Sequence, residues 1–262
     1  MTPESLRKKM AEGGVASGLV VVHSRAAQIG RIAASCGYDW LFIDLEHGMT
    51  GLDVATQICV AALDAGVVPF VRVPANESAW IGRALDGGAV GIVVPHVDTA
   101  EDAERAVAAA RYPPRGARSL SGLLPQLGYK SLPGAEVMRQ ADALTIVTGI
   151  IETAEAVENC EAIAAVPGFD ALQVGTNDLS VSLGIPGEVD HPKVQEAVAR
   201  VVAACRRHNK IPGLGGAYRE DAMRLYARMG CRLMLVGNDL SLMITALRER
   251  AGFARTLGTE QA

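Results

Sequence analysis

What this 262-residue chain lacks narrows its function before any motif is read. No apolar stretch reaches the ~20 residues of a membrane span. The N-terminus is charged and has no apolar core of a signal peptide, so a cytoplasmic protein is expected. There is no basic stripe: 25 Lys and Arg stand against 29 Asp and Glu, a formal charge of −4. Nucleic acid is therefore not an expected partner. No C-x-x-C occurs among the five cysteines (36, 59, 160, 205 and 231). They lie far apart and are odd in number, which reads as free thiols in a reducing compartment. G-x-S-x-G, Walker A and G-x-G-x-x-G are all missing. Lysine is scarce: Lys8, Lys9, Lys130, Lys193 and Lys210 are the full set, and none closes an apolar run. A Schiff-base mechanism needs a positioned, desolvated amine. If a carbanion is stabilised here, a metal has to serve as the electron sink.

What is present is a large apolar complement, 49% of residues against 21% charged. Eight short Val/Ile/Leu-rich runs recur at 15–22, 40–43, 68–73, 91–94, 145–151, 171–174, 211–214 and 233–236. Runs of this kind suit strands buried on both faces of a parallel sheet. Ala-rich segments of helical period follow them at 24–37, 51–65, 77–87, 99–110, 153–165, 191–209, 218–230 and 239–251. Asp98 to Asp102 reads as a helix N-cap with acids in the first turn. Gly37, Gly66 and Gly230 fall where helix C-caps belong. Eight strand–helix units predict a (β/α)8 TIM barrel as one domain over 1–262, its core about 15–252. The Pro-, Gly- and Ser-rich stretch 111–135 interrupts the rhythm as a long connection. The tail after Phe253 is expected to fray.

The C-terminal ends of the runs carry the ionisable groups, and in such barrels that end carries the chemistry. They present His23; Asp44, Glu46 and His47; Arg72; His96; Glu152; Asn177 and Asp178; and Asn238 and Asp239. Glu152 and Asp178 read either as helix-start acids or as a pair of oxygen ligands suited to Mg2+ or Mn2+. Arg72 reads either as a partner of an acid across the mouth or as a cation facing a developing oxyanion. His47 reads as a cap or as an acid–base group oriented by Asp44, Glu46 or another acid. Gly213 to Gly216 suits a close approach of backbone to a phosphate or another anion. V-G-T-N-D-L-S (174–180) is echoed by V-G-N-D-L-S (236–241), the same strand-to-helix turn used twice.

Several motifs stand together and in order: F-I-D-L-E-H-G (42–48), V-R-V-P (71–74), L-D-G-G-A-V-G-I-V-V-P-H-V-D-T-A-E-D-A (85–103), R-Y-P-P-R-G-A-R-S (111–119), I-E-T-A-E-A-V-E-N (151–159) and V-G-T-N-D-L-S-V-S-L-G (174–184). Through them residues 15–250 resemble the HpcH/HpaI aldolase family, metal-dependent class II pyruvate aldolases. The resemblance implies a carbon–carbon lyase that forms or cleaves 4-hydroxy-2-oxo acids from pyruvate, or another 2-oxo acid, and an aldehyde. It implies Glu152 and Asp178 as ligands of Mg2+ or Mn2+, with Co2+ a further candidate. It implies Arg72 at the keto oxygen, His47 as acid–base group, and Asp44 and Asp86 as acids near it, Asp86 reaching from an adjacent subunit. The turn Gly175, Thr176, Asn177 and Asp178 would take the pyruvate carboxylate. A homo-oligomer is implied, a hexamer built as a trimer of dimers, the last helix packing on a neighbouring subunit. Many members have Gln two residues before the metal-binding Glu. Here that position is Ile150, so a polar contact is expected to be missing. A CoA-thioester lyase of the citramalyl-CoA type and a non-catalytic oxo-acid-binding barrel are the alternatives.

Overall fold

The computed structural model describes residues 1–257. Eight parallel strands close on themselves in sequence order: β1 (Ala16–Val21), β2 (Trp40–Asp44), β3 (Val68–Arg72), β4 (Gly91–Val94), β5 (Ile146–Ile151), β6 (Ala171–Gly175), β7 (Ile211–Gly215) and β8 (Leu233–Asn238). The (β/α)8 barrel expected from the sequence is the fold found. Each strand is hydrophobic on both faces because one face fills the barrel and the other meets helices. Trp40, Phe42, Phe70, Val93, Ile150 and Leu235 pack inside. Ile43, Val71, Ile92, Val147 and Val174 face the helices.

The helices are α1 (Pro3–Ala11), α2 (Ile29–Ser35), α3 (Leu52–Ala65), α4 (Ser78–Asp86), α5 (Ala100–Ala110), α6 (Gly134–Leu144), α7 (Ala154–Glu158), α8 (Cys160–Ala165), α9 (Thr176–Ser182), α10 (Pro192–Arg207), α11 (Glu220–Met229) and α12 (Asp239–Thr256). The cap read at 98–102 is a capping box: Thr99 and Asp102 each bond the other's backbone N–H at the start of α5. Gly66 ends α3 at φ 73°, a left-handed conformation that favours glycine.

Three helix bounds are corrected. The segment 24–37 is helical only from Ile29, since Ser24 N–H is held by the Asp239 carboxylate and the chain turns before the helix begins. The segment 153–165 splits at Asn159, whose side chain donates to the Asp98 carbonyl. The last helix, expected over 239–251, runs on to Thr256; the expected tail from 258 lies outside the described residues. The long connection expected at 111–135 is found ordered, with Tyr112, Leu124 and Leu127 buried against Val137 and Ala141 of α6. No helix among the described residues is long and apolar enough to cross a membrane.

Candidate active site

The parallel register puts Asp44 directly beside Arg72 at the C-terminal ends of β2 and β3. The Arg72 guanidinium donates through Nε to Asp44 Oδ1 at 2.9 Å and through Nη2 to Oδ2 at 2.6 Å. Its Nη1 lies 2.7 Å from Glu46 Oε2. Burial works against the charged guanidinium, but Asp44, Glu46 and Glu152 outweigh it and hold the group above its ordinary value. The pairing with acids read for Arg72 is found, and the guanidinium also lines the cavity at the mouth.

Asp44 is 1% exposed, and its Oδ1 also accepts the backbone N–H groups of Glu46 and His47, at 2.9 and 3.1 Å. It organises Arg72 and the turn that follows β2. The imidazole of His47 is exposed at the mouth, lines the cavity, and makes no hydrogen bond among the described residues. Neither Asp44 nor Glu46 touches that ring.

Glu46 turns to His96 instead. The His96 ring bridges two acids, Nε2 lying 3.2 Å from Glu46 Oε1 and Nδ1 3.0 Å from Glu152 Oε1. Its backbone N–H donates to the same Glu152 oxygen at 3.1 Å. His96 holds φ at 52°, an uncommon conformation for a residue with a side chain. Its main chain and ring together orient Glu152, so His96 stands closer to the centre than its place in the sequence suggests.

Glu152 follows β5 and is 4% exposed. Burial raises its carboxyl; the His96 N–H and ring oppose this, and the charges of Asp178 and Glu46 add to it, leaving the group above the usual carboxylate range. Asp178, in α9, lines the same cavity, and its carboxylate makes no hydrogen bond among the described residues. Its counterpart in the echoed turn, Asp239, is fully engaged, accepting the N–H groups of Val22, His23 and Ser24. One turn thus ties the end of β1 to α12, and the other leaves its carboxylate free. His23 contributes its backbone to that tie, not its ring.

Two carboxylates that repel each other at a cavity wall form a donor set that suits a hard divalent cation keeping waters or substrate oxygens. No group of three or more His, Cys, Asp or Glu is placed to hold a metal among the described residues, so a closed zinc-type site does not fit. Asp86 lies elsewhere. At the end of α4 it accepts from Arg118 at 2.8 Å and lines a 660 Å3 groove on the outer face, outside the mouth.

The mouth cavity holds about 130 Å3. Two of its residues carry no sequence signal beyond a polar side chain near a strand. Tyr218, after β7, lines the mouth at its rim, and desolvation there raises its phenol above the ordinary value. Gln173, mid-strand in β6, stands beside Ile150 of β5. An amide thus stands one strand away from Ile150, where a polar contact was expected to be missing.

A family model described as HpcH/HpaI aldolase/citrate lyase matches residues 18–246. The chain is 40% identical over 226 residues to a 4-hydroxy-4-methyl-2-oxoglutarate aldolase of Hapsidospora irregularis, covering 85% of this chain and 84% of that protein. It is 35% identical over 215 residues to a 5-keto-4-deoxy-D-glucarate aldolase of Klebsiella pneumoniae subsp. pneumoniae, covering 82% and 83%. The crystal structure of an HpcH/HpaI aldolase from Desulfitobacterium hafniense DCB-2 superposes with a TM-score of 0.89 at 31% identity, covering 95% of this chain and 96% of that one.

Proposed function

The chain belongs to the HpcH/HpaI aldolase/citrate lyase family and is a carbon–carbon lyase, and from that premise we propose that its barrel mouth joins and splits a 2-oxo acid and an aldehyde through 4-hydroxy-2-oxo acids. The observation that carries this reading is the Arg72 guanidinium, fixed by Asp44 and Glu46, facing the same small cavity as Glu152 and Asp178. Both relatives named above are aldolases of oxo acids.

Glu152 and Asp178 would hold a divalent cation, Mg2+ or Mn2+, with Co2+ a further candidate. When bound, the cation supplies Lewis acidity beside the 2-oxo group. Arg72 faces the keto oxygen and stabilises negative charge there as the enolate forms, a preorganised donor that needs no reorientation. The N–H groups of the Gly175, Thr176, Asn177 and Asp178 turn take the carboxylate. His47 moves the proton. In cleavage the C4 hydroxyl proton leaves to base and the C3–C4 bond breaks. Its electron pair passes into the enolate, the aldehyde departs, and C3 is protonated. The exposed, unpaired imidazole of His47 suits a group that must exchange protons with solvent each turnover.

Further copies of this chain complete the site. The 18-residue α12 has no buried residue and exposes Leu242, Met243, Leu247 and Phe253. Such a face is suited to a neighbouring subunit, in a hexamer assembled as a trimer of dimers. Asp86, held by Arg118 on the outer surface, would reach the mouth of an adjacent copy.

The deciding experiment is pyruvate release from a panel of 4-hydroxy-2-oxo acids, with and without EDTA. We expect turnover that EDTA abolishes and Mg2+ or Mn2+ restores, while cleavage that survives EDTA overturns the metal-dependent mechanism. Light scattering at several protein concentrations tests the assembly, and a monomer throughout overturns it.

A further inference from the structure

Gln173 has no part in the chemistry above, yet it occupies an improbable place. It projects inward from the middle of β6 and is 2% exposed. Across the ladders its neighbours are Ile150 and Gly213. Its Oε1 is buried with no hydrogen-bond partner, and no other bond to the carboxamide exists among the described residues. Burial of an unpaired amide forfeits its hydration without return, so an apolar side chain of the same length would serve stability better.

The neighbouring strand makes room for this residue. A Cβ on Gly213 would sit 3.1 Å from the Gln173 Cβ, and one on Gly215 would sit 3.3 Å from its Nε2. The same two glycines also leave room for Leu233 and Leu235 of β8, the Leu235 Cδ1 lying 2.9 Å from a Cβ on Gly215. The side chain lines the mouth cavity from below, where Val20, Phe42, Ile150 and Leu235 make the remaining floor apolar. Of the polar groups above it, Arg72 is held by Asp44 and Glu46 and Glu152 by His96, while the His47 ring and the Asp178 carboxylate stay unpaired at the rim. At about 130 Å3 the cavity is the size of a few water molecules, roughly 30 Å3 each, so a small oxo-acid end fills it and reaches the floor.

We infer that Gln173 is a substrate-binding residue, its carboxamide N–H donating to an oxygen of the buried 2-oxo acid from the side opposite Arg72. This rests on the reading that the mouth takes a 2-oxo acid. It gives Nε2, to which no bond exists among the described residues, an acceptor in the cavity it lines, and it makes the floor discriminate against a ligand that presents only carbon there. The aldehyde, entering after the oxo acid is seated, does not meet Gln173.

Two variants test this, Gln173→Met, which keeps length and removes the amide, and Gln173→Glu, which keeps shape and removes the N–H donor. Calorimetric titration of the Mg2+-loaded protein with pyruvate should show Kd raised about tenfold in each, the share of one hydrogen bond. The KM for the aldehyde in the synthetic direction should stay at its wild-type value. The thermal midpoint of Gln173→Met should match or exceed wild type. An unchanged pyruvate Kd in both variants, with wild-type turnover normal, overturns this inference alone. A fall in thermal midpoint with both KM values rising together overturns it in favour of a packing role. Wild-type protein that releases no pyruvate from any 4-hydroxy-2-oxo acid overturns the reading beneath it, and the inference with it.

Discussion

Replacing Asp44 with Asn separates a carboxylate that holds Arg72 from one that serves His47. In the native site Oδ1 accepts from Arg72 Nε and from the N–H groups of Glu46 and His47, while Oδ2 accepts from Arg72 Nη2 at 2.6 Å. Asparagine can keep all three bonds to Oδ1. Its Nδ2 then faces Nη2, donor against donor. The loss is one charge-assisted bond, about 1.5–3 kcal/mol, plus the desolvation of two unpaired donors. The Glu46 contact at 2.7 Å limits the damage. A total near 3 kcal/mol results, at the low end of the 3–5 kcal/mol typical of breaking a buried pair. At about 2–4 °C per kcal/mol the thermal midpoint should fall by about 6–12 °C, measured at fixed protein concentration. Displacement of the guanidinium by about 1 Å should lower kcat about 100-fold. The shape of the pH–rate profile should not change, because the imidazole of His47 does not touch Asp44. A variant that keeps its midpoint but loses the same limb of the pH profile as His47→Asn would show that Asp44 works through the histidine, and the assignment made here would be wrong.

Gly175→Ala should impair cation binding, because its Cβ would meet Ile150 Cγ2 at 3.0 Å and Glu152 Oε2 at 3.2 Å; Mn2+ titration should show affinity at least about tenfold weaker, in line with disturbed ligand orientation, and an unchanged affinity counts against Glu152 as a ligand. With Ellman's reagent one thiol, Cys36, should react quickly in the folded protein and all five in denaturant, because burial pushes the Cys59 thiol up and those of Cys205 and Cys231 up to about 12; two or more fast thiols would contradict that burial. Burial alone would raise the Asp102 carboxyl, but hydrogen bonds from Thr99 and Asp98 and the charge of Arg105 bring it below its ordinary value. Its contribution is therefore present above the unfolded carboxylate range and lost as pH falls through the lower folded value. Asp102→Ala should cost about 1 kcal/mol at neutral pH, read from urea midpoints, and the gap should close in acid; a gap that widens in acid reverses the sign.

The barrel was legible because its strands are apolar on both faces, and few other folds ask for eight such runs in succession. The helices α1 and α6 were not, since Pro3–Ala11 and Gly134–Leu144 are polar outside and follow no strand signal. Glu152, Asp178, Arg72 and His47 could be picked out because a strand's C-terminal end is the mouth of a barrel. Their partners could not be. Whether Asp44 meets Arg72 or His47 depends on the register between β2 and β3, which spacing along one chain does not encode. The same limit hid Gln173. One polar residue in an apolar strand is read as an exception until its neighbours across the ladder, Ile150 and Gly213, are known.

Asp239 belongs to two structures at once. It is the first residue of α12, and its carboxylate clasps the backbone that leaves β1 at Val22, His23 and Ser24. That fixes where the chain can be cut. A form ending before Asp239 would release one side of the mouth even though every residue proposed for chemistry remained. A form ending a turn or two after it would keep the clasp and lose the outer length of α12. Shortening from the C-terminus thus separates the rim of the site from the surface proposed for other copies, and the dividing line is a single carboxylate.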